Sequence, residues 1–109
     1  MINKNYRINK KEFDSIIKNG FSCNSSFFSL KFLENKEKIS KFSVVVSKKV
    51  TKRAIFRNKT RRRVYSILKN EQKNLKKQGF FVFFAKKDLV KKDFSVIKAD
   101  ILYILSKIK

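Results

Sequence analysis

Histidine is missing from this chain, and Cys23 is its one cysteine. Without histidine, the Ser-His-Asp and Cys-His nucleophile pairs are excluded, and so is any His-ligated metal site. A lone cysteine cannot close an internal disulfide, so Cys23 is interpreted as a buried or chemically indifferent thiol. The two glycines, Gly20 and Gly79, lie far apart, which excludes a P-loop and a dinucleotide-binding fingerprint.

Acidic residues are few and scattered along the chain. The eight acids are Glu12, Asp14, Glu34, Glu37, Glu71, Asp88, Asp93 and Asp100. They do not form the spaced cluster expected of a two-metal nuclease. If the chain takes part in a reaction, we therefore expect another component to supply the chemistry.

Long apolar runs are also missing. No segment approaches the roughly 18 apolar residues of a membrane-spanning helix, and the segment MINKNYRINKKEF lacks the apolar core of a signal peptide. A cytoplasmic location is therefore expected. The 109 residues are 42% hydrophobic and include twelve Phe, which predicts a single domain over residues 1–109 with a modest core.

Positive charge dominates what is present, because 29 basic residues against eight acids give a net charge of +21. Such a charge repels itself and weakens the compact state unless a partner neutralises it. Nucleic acid is the usual partner of a compact basic domain. An anionic membrane surface is the competing interpretation.

The charge concentrates between Lys48 and Arg63, where nine residues are basic and none is acidic. These are Lys48, Lys49, Lys52, Arg53, Arg57, Lys59, Arg61, Arg62 and Arg63. Four of the chain's six arginines lie between Arg57 and Arg63. A guanidinium fork binds phosphate oxygens in pairs and stacks on bases, which an ammonium group does less well. The stretch is thus predicted to bind nucleic acid, and a merely solvated helix face is the alternative.

The residues before this stretch predict a helix and two strands. Asn9 with Glu12 reads as a capping box after an extended Met1–Asn9 segment, and Asn19-Gly20 ends the helix. Its apolar residues are Phe13, Ile16 and Ile17, which indicate core; Phe13 and Ile17, four apart, alternatively form a ridge that lines a groove.

Alternation over Phe27–Leu33 and β-branched residues over Lys41–Ser47 predict two strands, expected to pair antiparallel across a charged turn at Glu34–Ser40. Phe28, Leu30 and Phe32 are expected to face the core. The small residues of Ser22–Ser26 predict a loop, with a third short strand near Ser22 as the open alternative.

A long helix is predicted over Ala54–Lys77, after a basic loop at Lys48–Lys52, and Gly79 is expected to end it. Its apolar stripe comprises Thr60, Val64, Ile67, Leu68 and Leu75. The continuous apolar run Phe80–Ala85 favours a central strand, with an aromatic RNA-stacking platform as the alternative.

A basic linker, Lys86–Lys92, then leads to Asp93 as the N-cap of a closing helix. The core stripe of that helix is Ile97, Ile101, Ile104, Leu105 and Ile108. Together these elements predict a compact α+β sandwich of order α-β-β-β-α-β-α, with a small sheet covered by helices.

The segments FSVVVSKKV and AIFRNKTRRRV resemble the signature of the bacterial ribonuclease P protein component. That signature is an Arg-Asn pair opening the second helix, after a strand that ends in Ser-Lys-Lys, and Arg57-Asn58 occupy the pair's position. The other matching positions are Ala54, Lys59, Arg61 and Arg62. The resemblance runs nearly end to end. In this chain Tyr65 stands where the family usually has another basic residue, which Arg63 is the candidate to replace, and the loop Val50–Arg53 is one residue longer than is common.

The resemblance implies a left-handed crossover between parallel strands and a function in precursor-tRNA processing. A catalytic RNA, which requires Mg²⁺, removes the 5′ leader, and one protein binds one such RNA and assists it without catalysing the reaction itself. Carried over to this chain, the implied RNA contacts are Lys48, Lys49, Lys52, Arg53, Arg57, Asn58, Lys59, Arg61, Arg62 and Arg63. The implied leader groove, between the first helix and the sheet, has Phe13, Ile17 and Lys31 as its candidates.

Three other functions remain as alternatives. A structural RNA-binding protein of ribosomal type shares the charge and the size, but the Arg57-Asn58 helix and the groove argue against it. A protein nuclease lacks the histidine and the acid cluster it would need. A membrane-surface binder would need a helix with a clean basic and apolar division and no other core. A basic helix without a pocket suits the phosphates of helical RNA, and apolar groove residues suit splayed single-strand bases.

Overall fold

The computed structural model of the chain describes residues 8–34, 40–75 and 77–108. Its elements are α1 (Lys10–Asn19), β1 (Phe21–Asn24), β2 (Phe28–Glu34), β3 (Lys41–Val45), α2 (Ala54–Glu71), β4 (Gly79–Ala85) and α3 (Phe94–Ser106). The predicted α+β order is thus confirmed, and the short strand near Ser22 is β1 rather than part of a loop. Residues 1–7 of the predicted extended segment and 35–39 of the predicted charged turn lie outside the described residues.

The sheet has the strand order β1-β2-β4-β3. β4 lies antiparallel to β2 and parallel to β3, so the expected antiparallel pair of β2 with β3 is wrong. The physical reason is that β4 is apolar on both faces and is best buried in the middle, whereas β2 and β3 each carry polar residues on one face. α2 makes the crossover between the parallel strands β3 and β4. Its left-handed sense stays a prediction from the resemblance.

The main core lies between one face of the sheet and the helices α2 and α3. The predicted alternation of β2 is confirmed, because Phe28, Leu30 and Phe32 are all buried. The ring of Phe81 in β4 stacks against Phe32 at 4.7 Å and Phe42 at 5.4 Å between centroids. The opposite face of the sheet is covered by α1.

α2 ends at Glu71, six residues before the predicted end at Lys77. Its buried stripe stops at Leu68, because the next positions on that side, Glu71 and Gln72, are polar. A short 3₁₀ turn over Gln72–Asn74 follows, and Leu75 takes an extended backbone that lets its side chain pack against the core.

Gly79 begins β4 and does not end the helix as expected. A Cβ on Gly79 would lie 2.4 Å from the carbonyl oxygen of Leu33, so the residue is small because two strands approach closely there.

The connection from β4 to α3 is a short 3₁₀ helix over Lys87–Lys91 and not an open linker, because Leu89 within it is fully buried. Asp93 occupies the N-cap position of α3, as predicted, although its side chain makes no capping hydrogen bond. Ile97, Ile101 and Ile104 are buried as predicted; Ile108 is also buried, beyond the end of the helix.

Asp100 on α3 was not singled out by sequence, yet it ties the helix to the turn between β1 and β2. It is nine-tenths buried, and it accepts hydrogen bonds from the Ser25 hydroxyl at 2.5 Å and the Phe27 backbone N–H at 3.1 Å. A charged acceptor with two donors is well satisfied in a buried site. The clamp therefore fixes the β1–β2 turn on the core.

Candidate nucleic-acid interface

The part of the basic stretch that lies in α2, up to Arg63, is on the side of the helix that faces away from the core. Thr60, Val64 and Ile67 turn into the core with Leu68, so the 3.6-residue period leaves the basic side chains on the two edges and the back of the helix. The first turn contains no acid, and Arg53 at the N-cap position provides no side-chain cap. The partial positive charge at this helix N-terminus therefore adds to the field of the arginines.

One edge of α2 faces the preceding loop and β3, and its polar side chains are ordered by the protein itself. Arg57 donates from Nη1 to the carbonyl oxygens of Thr51, at 3.0 Å, and of Lys52, at 2.8 Å. Asn58 accepts a hydrogen bond from Arg61 one turn on. This edge presents a preset arrangement of guanidinium groups.

Tyr65, at the position where the resemblance leads one to expect a basic residue, is half-buried on this same edge. Its hydroxyl accepts a hydrogen bond from the backbone N–H of Val44 at 3.1 Å, and its side chain packs against the core. Tyr65 therefore joins α2 to β3. Arg63 lies three residues from Thr60 and borders the other edge of the helix, next to α3.

That other edge borders a notch between α2 and the first residue of α3. The notch has a volume of about 380 Å³ and is lined by Lys59, Arg62, Arg63, Ser66 and Phe94. The basic helix, interpreted from the sequence as having no pocket, is thus bordered by a shallow, open depression. The reason is that α3 begins beside α2, and the side chain of Phe94 forms a wall that the pattern of α2 alone could not reveal.

The loop before α2 carries the remaining predicted contacts. Lys48, Lys49 and Lys52 are exposed, and Val50 between them packs against the core. Arg53 is exposed with its guanidinium 5.8 Å from the centroid of the Phe56 ring. The partly buried side chain of Val50 thus anchors a loop whose cations face solvent next to the N-terminus of α2.

The predicted groove residues lie on the opposite face of the sheet, on α1 and β2. Ile16 is the buried residue of α1, whereas Ile17 is 39% exposed and Phe13 is half-buried with its ring 6.3 Å from that of Phe84. The structure therefore separates the two interpretations of these residues: Ile16 is core, and Phe13 and Ile17 form its open margin. Lys31 pairs in register with Val82 and faces the same side as Phe84.

Charge on this face is uneven. Lys41 forms an ion pair with Glu12 at 3.0 Å, at the start of α1. Within residues 8–34, 40–75 and 77–108 the other ion pair joins Lys77 to Glu34, so Lys31 has no acidic partner there. Lys31 is therefore an unneutralised cation on this face.

In the described part of the chain, these surfaces are accompanied neither by a cluster of metal-ligating side chains nor by a reactive thiol. Groups of three or more His, Cys, Asp or Glu residues that could hold a metal do not occur in the described ranges. Burial raises the pKa of the half-buried Cys23 thiol, and the nearby Lys107 opposes that shift in part. A thiol with a raised pKa is a weak nucleophile at neutral pH. None of the helices in the described part of the chain is long and apolar enough to cross a membrane.

Comparison with known proteins gives one consistent result. The family model described as Ribonuclease P matches residues 2–109. The ribonuclease P protein component of Carboxydothermus hydrogenoformans is 33% identical, over 91% of this chain and 86% of the relative. The RNase P protein from Thermotoga maritima superposes with a TM-score of 0.86 at 27% identity, over 94% of this chain and 97% of that one. The Staphylococcus aureus RNase P protein gives 0.83 at 25% identity, over 93% of each chain.

Proposed function

The chain belongs to the ribonuclease P protein family and is a subunit of that RNA-based endoribonuclease, and from this premise we propose how its surfaces serve the processing of tRNA 5′ ends. One copy of the chain binds one ribonuclease P RNA through α2 and the loop before it. The same copy holds the 5′ leader of precursor tRNA on the α1 face of the sheet. Hydrolysis is carried out by the RNA.

The observation that carries this proposal is the unneutralised α2 surface. The basic residues from Lys48 to Arg63 meet no acid within their own stretch, and none of them belongs to an ion pair in the described ranges. Burying phosphates against such a surface releases counterions. Log affinity should therefore fall against log salt with a slope of about −0.7 to −0.9 per phosphate contact.

Phe13, Ile17 and Lys31 give the α1 face the chemistry of a single-strand site. The exposed margin of Ile17 and the ring of Phe13 offer apolar contacts to unstacked bases, and Lys31 offers a cation to the backbone between them. A leader lacks the paired geometry of the tRNA body, so this face distinguishes precursor from mature tRNA.

The described residues of the protein do not fit a site for the Mg²⁺ that, in this proposal, the RNA-containing enzyme uses. Mg²⁺ favours clustered carboxylate oxygens, and clusters of that kind are missing from the described ranges. We therefore assign the ions to the RNA. The protein assists them indirectly, because its cations reduce phosphate repulsion where RNA strands crowd together. A cytoplasmic location accords with this role.

The test is a binding titration that separates this role from that of a general structural RNA-binding protein. The chain is titrated with ribonuclease P RNA and, as a control, with a ribosomal RNA fragment of equal length, at several salt concentrations. The proposal predicts tighter binding to ribonuclease P RNA with a one-to-one endpoint. Equal affinity for both RNAs would favour the structural alternative.

A further inference from the structure

The notch between α2 and α3 has a composition that phosphate binding alone does not explain. Three of its five lining residues are cationic, namely Lys59, Arg62 and Arg63. The fourth is Ser66, which can donate or accept a hydrogen bond. The fifth is Phe94, an aromatic residue that is 44% exposed although it lies at the start of an otherwise core-forming helix.

The ring of Phe94 is available for contact. Neither another ring nor a cation lies over it in the described part of the chain, whereas the exposed Phe56 has Arg53 beside its ring. The three cations beside it are equally available, because the ion pairs within the described ranges involve Lys41 and Lys77. The notch thus offers one free aromatic face surrounded by free positive charge.

We propose that this notch binds an unpaired nucleotide of the RNA partner, with its base stacked on Phe94 and its flanking phosphates paired with Lys59, Arg62 and Arg63. Proteins recognise splayed RNA bases by stacking them on aromatic side chains, with cations on the backbone. In a paired RNA helix the base faces stay stacked inside the helix, so none of them could stack on Phe94. The proposal deepens the role given above to α2, and it rests on that role.

The two edges of α2 then have different tasks. The edge next to the loop, with Arg57 and Arg61 held by internal hydrogen bonds, presents preset guanidinium groups to backbone phosphates. The edge next to α3 recognises a bulged or looped-out nucleotide. RNA containing such a nucleotide at the right distance from a helix binds both edges at once, which gives the surface selectivity for RNA shape.

Two properties of ribonuclease P RNA binding separate stacking from charge: the affinity and its salt slope. Phe94→Ala and Phe94→Leu should each weaken binding about five- to 150-fold, the range that alanine substitution gives for base stacking. Their salt slope should match that of the wild type. Phe94→Tyr should bind like the wild type, because the ring is kept. Arg62→Ala should reduce the slope by about 0.7 to 0.9, the value of one phosphate.

Comparing Phe94→Leu with Phe94→Tyr keeps the test independent of folding, since both variants retain a large side chain at the start of α3. Val96→Ala, at an exposed position in the same first turn, is the matched control and should leave affinity unchanged. Wild-type affinity for Phe94→Leu, beside weakened binding by Arg62→Ala, would overturn the stacking site and leave the proposed function standing. Failure of the wild-type chain to bind the RNA would overturn both.

Discussion

Arg57 holds the loop that precedes its own helix, because its Nη1 donates to the carbonyl oxygen of Lys52 at 2.8 Å. A second bond from the same atom goes to the carbonyl of Thr51. The guanidinium therefore orders the basic loop as well as presenting its own charge. Because both bonds use Nη1, they leave the Nη2 and Nε donors of the planar guanidinium for phosphate oxygens, whereas a lysine has all its donors on one atom.

This relationship predicts coupling between Arg57 and the loop. Arg57→Ala should weaken binding to ribonuclease P RNA by about 1–3 kcal/mol, the range for hydrogen bonds to charged groups and unsatisfied partners. In a double-mutant cycle with Lys52→Ala, the two losses should differ from additivity by about 0.5 kcal/mol or more. Arg62→Ala provides the control and should add to Lys52→Ala within about 0.5 kcal/mol. Strict additivity of Arg57→Ala with Lys52→Ala would mean that the loop is not held by Arg57 in the complex.

A second prediction concerns the leader groove. In the assembled enzyme, Phe13→Ala should weaken binding of precursor tRNA by about 1–3 kcal/mol, because a base would lose its stacking partner, and it should leave binding of mature tRNA unchanged. The ratio of the two affinities is the quantity to measure, since a general loss of folded protein cancels in it. Ser15→Ala, exposed on the same helix, should leave the ratio unaltered. Equal losses for both tRNAs would argue against the groove.

The Asp100 clamp predicts a loss of stability. Asp100→Ala leaves the Phe27 N–H without its acceptor and leaves the Ser25 hydroxyl only the longer contact to the Phe28 carbonyl oxygen, at 3.4 Å. This loss should lower the free energy of unfolding by about 1–3 kcal/mol. Asp100→Asn should cost less, because its amide oxygen still accepts one bond. Urea unfolding measures both, and the exposed Asp88→Ala should change stability by less than about 0.5 kcal/mol. If Asp100→Ala matched Asp88→Ala, the clamp would have no energetic role.

Local features of the fold were predictable from the sequence because their signals lie within a few residues. The capping box of Asn9 and Glu12 forms as expected, with the amide oxygen of Asn9 accepting from Glu12 N–H at 2.8 Å. The alternation of β2 and the apolar run of β4 gave both strands correctly. The end of α2 was missed, because the apolar period continues to Leu75 through residues that the helix does not include.

Features of the fold that depend on residues far apart in the chain could not be predicted from the sequence. Strand order is one, since β4 separates β2 from β3 although it follows them in the chain. The bond between Ser25 and Asp100 spans 75 positions, and no local pattern marks either residue. The arginine stretch was found through its composition, but the notch it forms with Phe94 depends on how α3 packs. Composition thus identified the basic surface of α2. The packing of α3 and of the preceding loop against α2 then gave that surface two different edges.

The most direct test of the account is the cleavage of a precursor tRNA carrying a 5′ leader by bacterial ribonuclease P RNA. It is run at a Mg²⁺ concentration too low for the RNA to act by itself. We expect the wild-type chain to restore cleavage at the mature 5′ end and the chain without RNA to be inactive. Arg57→Ala and Arg62→Ala should restore less cleavage than the wild type at equal protein concentration. Tight RNA binding with no effect on cleavage, or cleavage by the protein alone, would contradict the account.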